Sequence, residues 1–197
     1  MSPEFAARRA RAFALVKNYH GPLKPRSDGP PWHHLDRVSK MLELVLEQED
    51  EGPRDQRETI IVAALGHDAL EDTPVTEEEI ALAFGDRGLA LIHGMTNRLG
   101  DDHPTEYVAQ VAASEEGVRL IKLSDLYDNC TSVVFNIGSL GVKWTEEYFL
   151  PIVTPMIAAL KETTFETYAR SGERLKRMVL LSEALLHDAV ARQKGAP

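Results

Sequence analysis

Apolar residues recur at helical intervals along almost the whole chain, and no stretch alternates apolar and polar residues for long enough to require a sheet. Residues 4–19 place Phe5, Ala6, Phe13, Leu15 and Val16 on or near one face, and Leu35 to Gln48 does the same with Val38, Met41, Leu42 and Val45. Arg57 to Glu71 reads as an apolar helix. A short helix is predicted from Thr76 to about Ala83, because Thr76 followed three residues later by Glu79 fits a capping box. Further helices are predicted over Gly85 to Leu99, over Thr105 to Ala113 and around Asp125. The expected fold class is therefore all-α, a helical bundle.

The chain changes character after Gly138. Trp144 to Leu160 mixes aromatic and apolar residues with two prolines, and Glu173 to Arg192 is amphipathic, with Leu175, Met178, Val179, Leu181 and Leu185 available for packing. These read as closing helices that cover the core or a subunit interface, which leaves a homo-oligomer open. They offer no catalytic group. At 197 residues and 43% hydrophobic content the chain can bury a sizeable core, and no Pro/Ser/Gly-rich linker divides it. One domain is expected over 1–197, with a core at about 10–135 and C-terminal helices at about 144–192.

Chemistry concentrates in the stretch Ala63-Ala-Leu-Gly-His-Asp-Ala-Leu-Glu-Asp-Thr-Pro74. Four ionisable side chains, His67, Asp68, Glu71 and Asp72, crowd into six residues where an apolar helix is about to end. Burying several carboxylates together is costly unless a cation or hydrogen bonds compensate, so the segment reads as a metal site. His67 and Glu71 lie four apart, as do Asp68 and Asp72, so the two pairs project toward adjoining strips of one helical surface. Imidazole beside a hard carboxylate suits Mn, Fe, Co or Zn. A bound divalent ion lowers the pKa of water toward neutrality, which favours hydrolysis. The bland alternative is a hydrogen-bonded pair at a helix end. His187-Asp188 shows that such a pair arises without further chemistry: no carboxylate pair follows it, and it reads as two polar positions at the surface of a C-terminal helix.

Two further segments supply partners. Pro30-Pro-Trp-His-His-Leu-Asp-Arg-Val38 opens an amphipathic helix, and Val118-Arg-Leu-Ile-Lys-Leu-Ser-Asp-Leu-Tyr-Asp-Asn129 sets Asp125 and Asn129 four residues apart within an apolar frame. Together these residues resemble the HD-domain metal-dependent phosphohydrolases, specifically the branch containing the alarmone (ppGpp) hydrolase domains of RelA/SpoT-type enzymes and their small stand-alone relatives. The HDxxED form separates that branch from most other HD hydrolases. The resemblance implies an HD-domain helical bundle in which His34, His67, Asp68 and Asp125 are metal ligands, with His33 competing for the first position. It implies Glu71 and Asp72 as the pair that activates or positions water, and Asn129 as a substrate-side hydrogen-bonding group. The ion it implies is divalent, Mn first, with Fe, Co, Zn or Mg as alternatives. The reaction it implies is removal of the 3′-pyrophosphate from a guanosine tetra- or pentaphosphate. Other nucleotide phosphatases, or a binding-only regulator, are the competing classes.

The chain departs from that pattern where substrate would be read. The basic pair expected before the first histidine is split, as Lys24 and Arg26, by Pro25. The stretch Tyr107-Val-Ala-Gln110 offers no basic residue, and Arg98 is the candidate replacement. Lys122 and Arg119 read as solvated stems more readily than as phosphate contacts, Trp32 as a packing anchor, and His20, His93 and His103 as surface or core residues.

A formal charge of −9 argues against coating nucleic acid, which relies on clustered Lys and Arg, so the expected partner is a small phosphorylated nucleotide. Cys130 is the single cysteine, which excludes an intrachain disulfide and reads as a core thiol in a reducing compartment. No segment approaches the about 20 apolar residues of a membrane helix, and Met1-Ser-Pro-Glu-Phe lacks the pattern of a secretory leader. The expected setting is the cytoplasm, away from membranes.

Overall fold

The computed structural model describes residues 3–98, 100 and 103–195. Among these, every regular element is helical, and the one extended pairing is an isolated antiparallel bridge between Arg26 and Gly29. The order is α1 (Pro3–His20), α2 (Pro31–Glu49), α3 (Arg54–Ala63), a 3₁₀ turn (Ala64–Gly66), α4 (Ala69–Asp72), α5 (Glu77–Phe84), α6 (Asp86–Met95) and α7 (Pro104–Ala113). Then follow α8 (Glu116–Leu140), the short α9 (Val142–Trp144), a π-helical turn (Thr145–Phe149), α10 (Leu150–Lys161) and α11 (Ala169–Gly195).

Local chemistry sets several of these boundaries. Pro31 sits in the first turn of α2, where its missing N–H costs nothing. Asp50 ends that helix at φ 48°, its N–H bonded to the Leu46 carbonyl. The expected capping box opens α5: Glu79 N–H donates to Thr76 Oγ1 at 3.2 Å, and Thr76 N–H to Glu79 Oε2 at 3.0 Å. The helix expected from Gly85 stops at Met95; Leu99, its expected end, lies outside the described residues.

α8 is the axis of the bundle. It buries Leu120, Ile121, Leu123, Leu126 and Cys130 between α2 on one side and α11 on the other. Two buried hydroxyls fix these contacts: Ser124 donates to the Val38 carbonyl at 3.0 Å, and Ser39 to the Ile61 carbonyl at 2.8 Å. α11 covers the core through Leu175, Val179 and Leu186, whereas Leu181 and Leu185 face solvent. Burial pushes the Cys130 thiol up to about 12, which leaves it inert.

The helix expected to run unbroken from Arg57 to Glu71 is interrupted. α3 ends at Ala63, the chain tightens into the 3₁₀ turn, and Asp68 sits at φ −99°, ψ 1° before α4 begins. Gly66 permits this, because its backbone passes directly against α5 and α6. A Cβ there would lie 2.7 Å from Ile92 Cδ1 and 2.8 Å from Phe84 Cζ, both fully buried. Gly66→Ala should therefore lower stability by about 1–3 kcal/mol, as overpacking does. Urea denaturation followed by circular dichroism reads this, and an unchanged midpoint would refute the tight approach.

Candidate metal centre

Neighbouring residues on a regular α-helix point about 100° apart, so a continuous helix would send His67 and Asp68 in different directions. From the break at residues 64–68 the two side chains nonetheless reach one another. His67 Nε2 lies 3.2 Å from Asp68 Oδ1. From α2, His34 brings its Nε2 to 3.8 Å from Asp68 Oδ2; from α8, Asp125 places Oδ1 3.1 Å from His34 Nε2 and 3.4 Å from His67 Nε2. The two imidazoles meet edge to face at 5.1 Å between centroids. His33 is elsewhere, its ring against Trp32 and beside Gly29. Three segments that are distant in sequence thus place two imidazoles and two carboxylates around one point.

The proton inventory shows what that point favours. His67 Nδ1 engages the Ala64 carbonyl at 2.8 Å, and His34 Nδ1 engages the Asp128 carboxylate at 2.7 Å. With each Nδ1–H donating, each Nε2 carries a lone pair. Both Nε2 atoms are buried, and neither has a hydrogen-bond partner among the described residues. Two unpartnered lone pairs facing two buried carboxylates form a donor set suited to a divalent cation. His34, His67 and Asp68 can offer ligand atoms that all lie within 4.8 Å of one another.

Electrostatics agree. Burial alone would lower the pKa of His67, yet Asp68 and Asp125 reverse that and hold it well above the usual imidazole value. Burial would raise Asp125, but Lys122 and the two imidazoles hold it well below the carboxylate range. The site attracts positive charge from every side. Lys122 departs from the solvated-stem reading: its ammonium is largely buried, 3.0 Å from Asp125 Oδ2 and over the Tyr107 ring.

Glu71 and Asp72 stand at the rim, accessible to solvent. The flanking walls still remove enough water to push both carboxyls above their ordinary range. Glu71 Oε1 is oriented by the Asn97 N–H at 2.5 Å. Asn129 donates to Asp125 Oδ1 at 2.6 Å and accepts from Arg26 at 2.6 Å. Lys24 and Arg26 line one cleft of about 630 Å³ with His34, Asp68 and Asp72. Arg98 lines another, of about 600 Å³, on the far side of Glu71 and Asp72, where it pairs with Glu77 at 3.4 Å.

Several residues that surround the site were not singled out in the sequence. Asp128 orients His34 and is itself held by Arg37, whose Nε donates at 2.7 Å; these two partners keep its carboxyl low although burial would raise it. Arg37 also pairs with Asp28, which accepts from Ser132 at 2.9 Å. The stripe Asp125, Asp128, Asn129, Ser132 at helical spacing on an apolar helix was the available signal. His20, read as an isolated histidine, is buried in the cleft wall with Nδ1 on the Val16 carbonyl at 3.1 Å. His187 is exposed on α11, consistent with its surface reading, and Trp32 packs edge-on against Phe13 at 5.7 Å.

No family model matches the chain. A guanosine-3′,5′-bis(diphosphate) 3′-pyrophosphohydrolase of Aquifex aeolicus is 36% identical over 135 residues, which cover 64% of this chain and 18% of the relative. The Drosophila melanogaster 3′-pyrophosphohydrolase MESH1 is 28% identical over 142 residues, 68% of this chain and 72% of that protein. The chain therefore spans under a fifth of the bacterial relative and most of the fly one. A solved structure of a metazoan SpoT orthologue, described as hydrolysing ppGpp, superposes with a TM-score of 0.66 at 19% identity, covering 96% of both chains. The fold is the all-α HD-domain fold. Within that fold the chain is similar to guanosine-3′,5′-bis(diphosphate) 3′-pyrophosphohydrolases.

Loss of the carboxylate behind His34 should weaken metal binding. Asp128→Ala is expected to lower Mn²⁺ affinity about 10–100-fold, measured by isothermal titration calorimetry. Unchanged affinity would show that the His34–Asp128 contact does not orient a ligand.

Proposed function

We propose that this protein is a metal-dependent phosphohydrolase acting on a nucleotide that carries a 3′-pyrophosphate, with guanosine 3′,5′-bis(diphosphate) as the foremost substrate. The activity for which the relatives are named supports the substrate class. The observation that carries the reading is the pair of buried, unpartnered Nε2 atoms of His34 and His67, which face Asp68 and Asp125. His34, His67, Asp68 and Asp125 would hold a divalent ion, Mn first, with Fe, Co, Zn and Mg as the ions to compare. When bound, such an ion polarises phosphate oxygens and brings the pKa of water close to neutrality.

The chain's own groups take the remaining tasks. Glu71 and Asp72, one helical turn beyond the ligands, position the attacking water and take its proton; carboxyls raised by their surroundings suit a proton acceptor working near neutral pH. Asn129 holds Asp125 through its amide N–H and keeps Arg26 at the mouth of the cleft through its carbonyl. Arg26 and Lys24 bind the substrate's phosphates, and Lys24 makes no ion pair with any described residue. Arg98 enters as a more distant cation across Glu71 and Asp72. Lys122 neutralises Asp125 from behind.

The same proposal takes the chain as one HD-type hydrolase domain working in the cytoplasm on a small nucleotide rather than on nucleic acid. The −9 charge and the single buried Cys130 support that setting, and a homo-oligomer is compatible with it. Among the described residues no helix is long and apolar enough to cross a membrane.

With Mn²⁺, ppGpp should release pyrophosphate, resolved from orthophosphate by ion chromatography. Asp125→Ala should abolish release, and Glu71→Gln should slow turnover by about 10²–10⁴-fold. Turnover that survives both substitutions refutes the assigned roles. Orthophosphate from a nucleoside monophosphate would instead identify a different nucleotide phosphatase, and tight ppGpp binding without turnover a regulator. In a parallel series of metals, chelation by EDTA should stop the reaction and Mn²⁺ should restore it best.

A further inference from the structure

The cleft that contains His34, Asp68 and Asp72 has a second, chemically different end. The same lining includes Val133 and Leu140 from α8, Trp144 from α9 and Phe149 from the turn that follows, which form an apolar wall. Trp144 and Phe149 are stacked, with centroids 5.7 Å apart and planes inclined by 24°.

This pairing depends on an unusual backbone. Residues five apart on an α-helix point about 140° away from each other, since each residue advances by about 100°. Between Trp144 and Phe149 the chain instead forms the π-helical turn Thr145–Phe149, closed by the Leu150 N–H on the Thr145 carbonyl. That i→i+5 closure brings residues five apart onto one side. Gly141, at φ 88°, redirects the chain into this segment, and the Thr145 hydroxyl secures it by donating to the Gly141 carbonyl at 3.0 Å. The wider turn places two aromatic rings together on the cleft, and Trp144 keeps 39% of its surface accessible there.

A ligand that satisfies the whole cleft carries concentrated negative charge at one end and a flat apolar face at the other. A nucleotide has that form. We propose that Trp144, backed by Phe149, is the platform on which the substrate's nucleobase stacks, so that this end of the cleft selects a nucleotide over a simple phosphate ester. The inference rests on the phosphohydrolase reading and extends it to a segment that carries none of the proposed catalytic groups. Stacking engages the face of a base, which guanine and adenine share, so the platform favours purines without sharply separating them.

The test uses Trp144 as its own reporter. The chain has two tryptophans, so a Trp32→Phe background leaves Trp144 as the single indole. With Mn²⁺ present, GDP should quench its fluorescence saturably, ADP should do so within the same order of magnitude, and inorganic pyrophosphate should produce no quench. By calorimetry, Trp144→Ala should weaken GDP binding at least about tenfold and leave pyrophosphate affinity unchanged, while Trp144→Phe recovers most of the loss. Unchanged GDP affinity in Trp144→Ala, or an equal loss of pyrophosphate affinity, overturns the proposal. The two readings fail separately. Quenching by GDP in a protein that never hydrolyses ppGpp keeps the platform and removes the hydrolase, whereas ppGpp hydrolysis with an unaltered KM in Trp144→Ala does the reverse.

Discussion

Two buried imidazole Nε2 atoms held 3.1–3.4 Å from the oxygens of two carboxylates are the constraint around which this bundle is arranged. Neutral Nε2 lone pairs beside Asp68 and Asp125 are unfavourable without a cation or a proton, and hydrogen bonds on the opposite nitrogens aim them at these carboxylates. The Ala64 carbonyl and the Asp128 carboxylate occupy the opposite nitrogens and so fix the tautomers. The long α8 supplies Asp125 and Asp128 from adjacent turns, and Ser124 pins that helix to α2, which carries His34. Packing and site geometry are therefore one problem, solved by the same helix pair.

Much of this was legible in the chain. The 3.6-residue spacing of apolar groups specified an all-α fold, and the capping box at Thr76 and Glu79 marked one helix start to the residue. The four residues expected to gather around an ion do converge in space. The break at 64–68 was not legible, because apolar periodicity continues through it; only the contact of Gly66 with Phe84 and Ile92 on other helices explains why the chain tightens there. Lys122 was misread for a related reason. A lysine on an amphipathic helix is ordinarily solvated, and the partner that draws it inward, Asp125, lies on the same helix three residues away.

The closing helices were expected to cover the core or an interface and to hold no chemistry. α11 does cover the core, but the segment between Gly141 and Leu150 reaches the cleft. Its contribution was hidden because Trp144 and Phe149 share a face only when the turn between them widens, a property set by backbone hydrogen bonding and not by residue order.

The loop between α1 and α2 carries Lys24 and Arg26, and it is moored by Asp28 to Arg37 and Ser132. Arg37 at the same time grips Asp128, which steadies His34. Groups that would greet a phosphate and groups that would cradle an ion thus share one guanidinium as a hinge pin. Free-energy changes on either side of Arg37 are coupled: injuries to the loop and to the scaffold behind His34 will sum to something other than their parts.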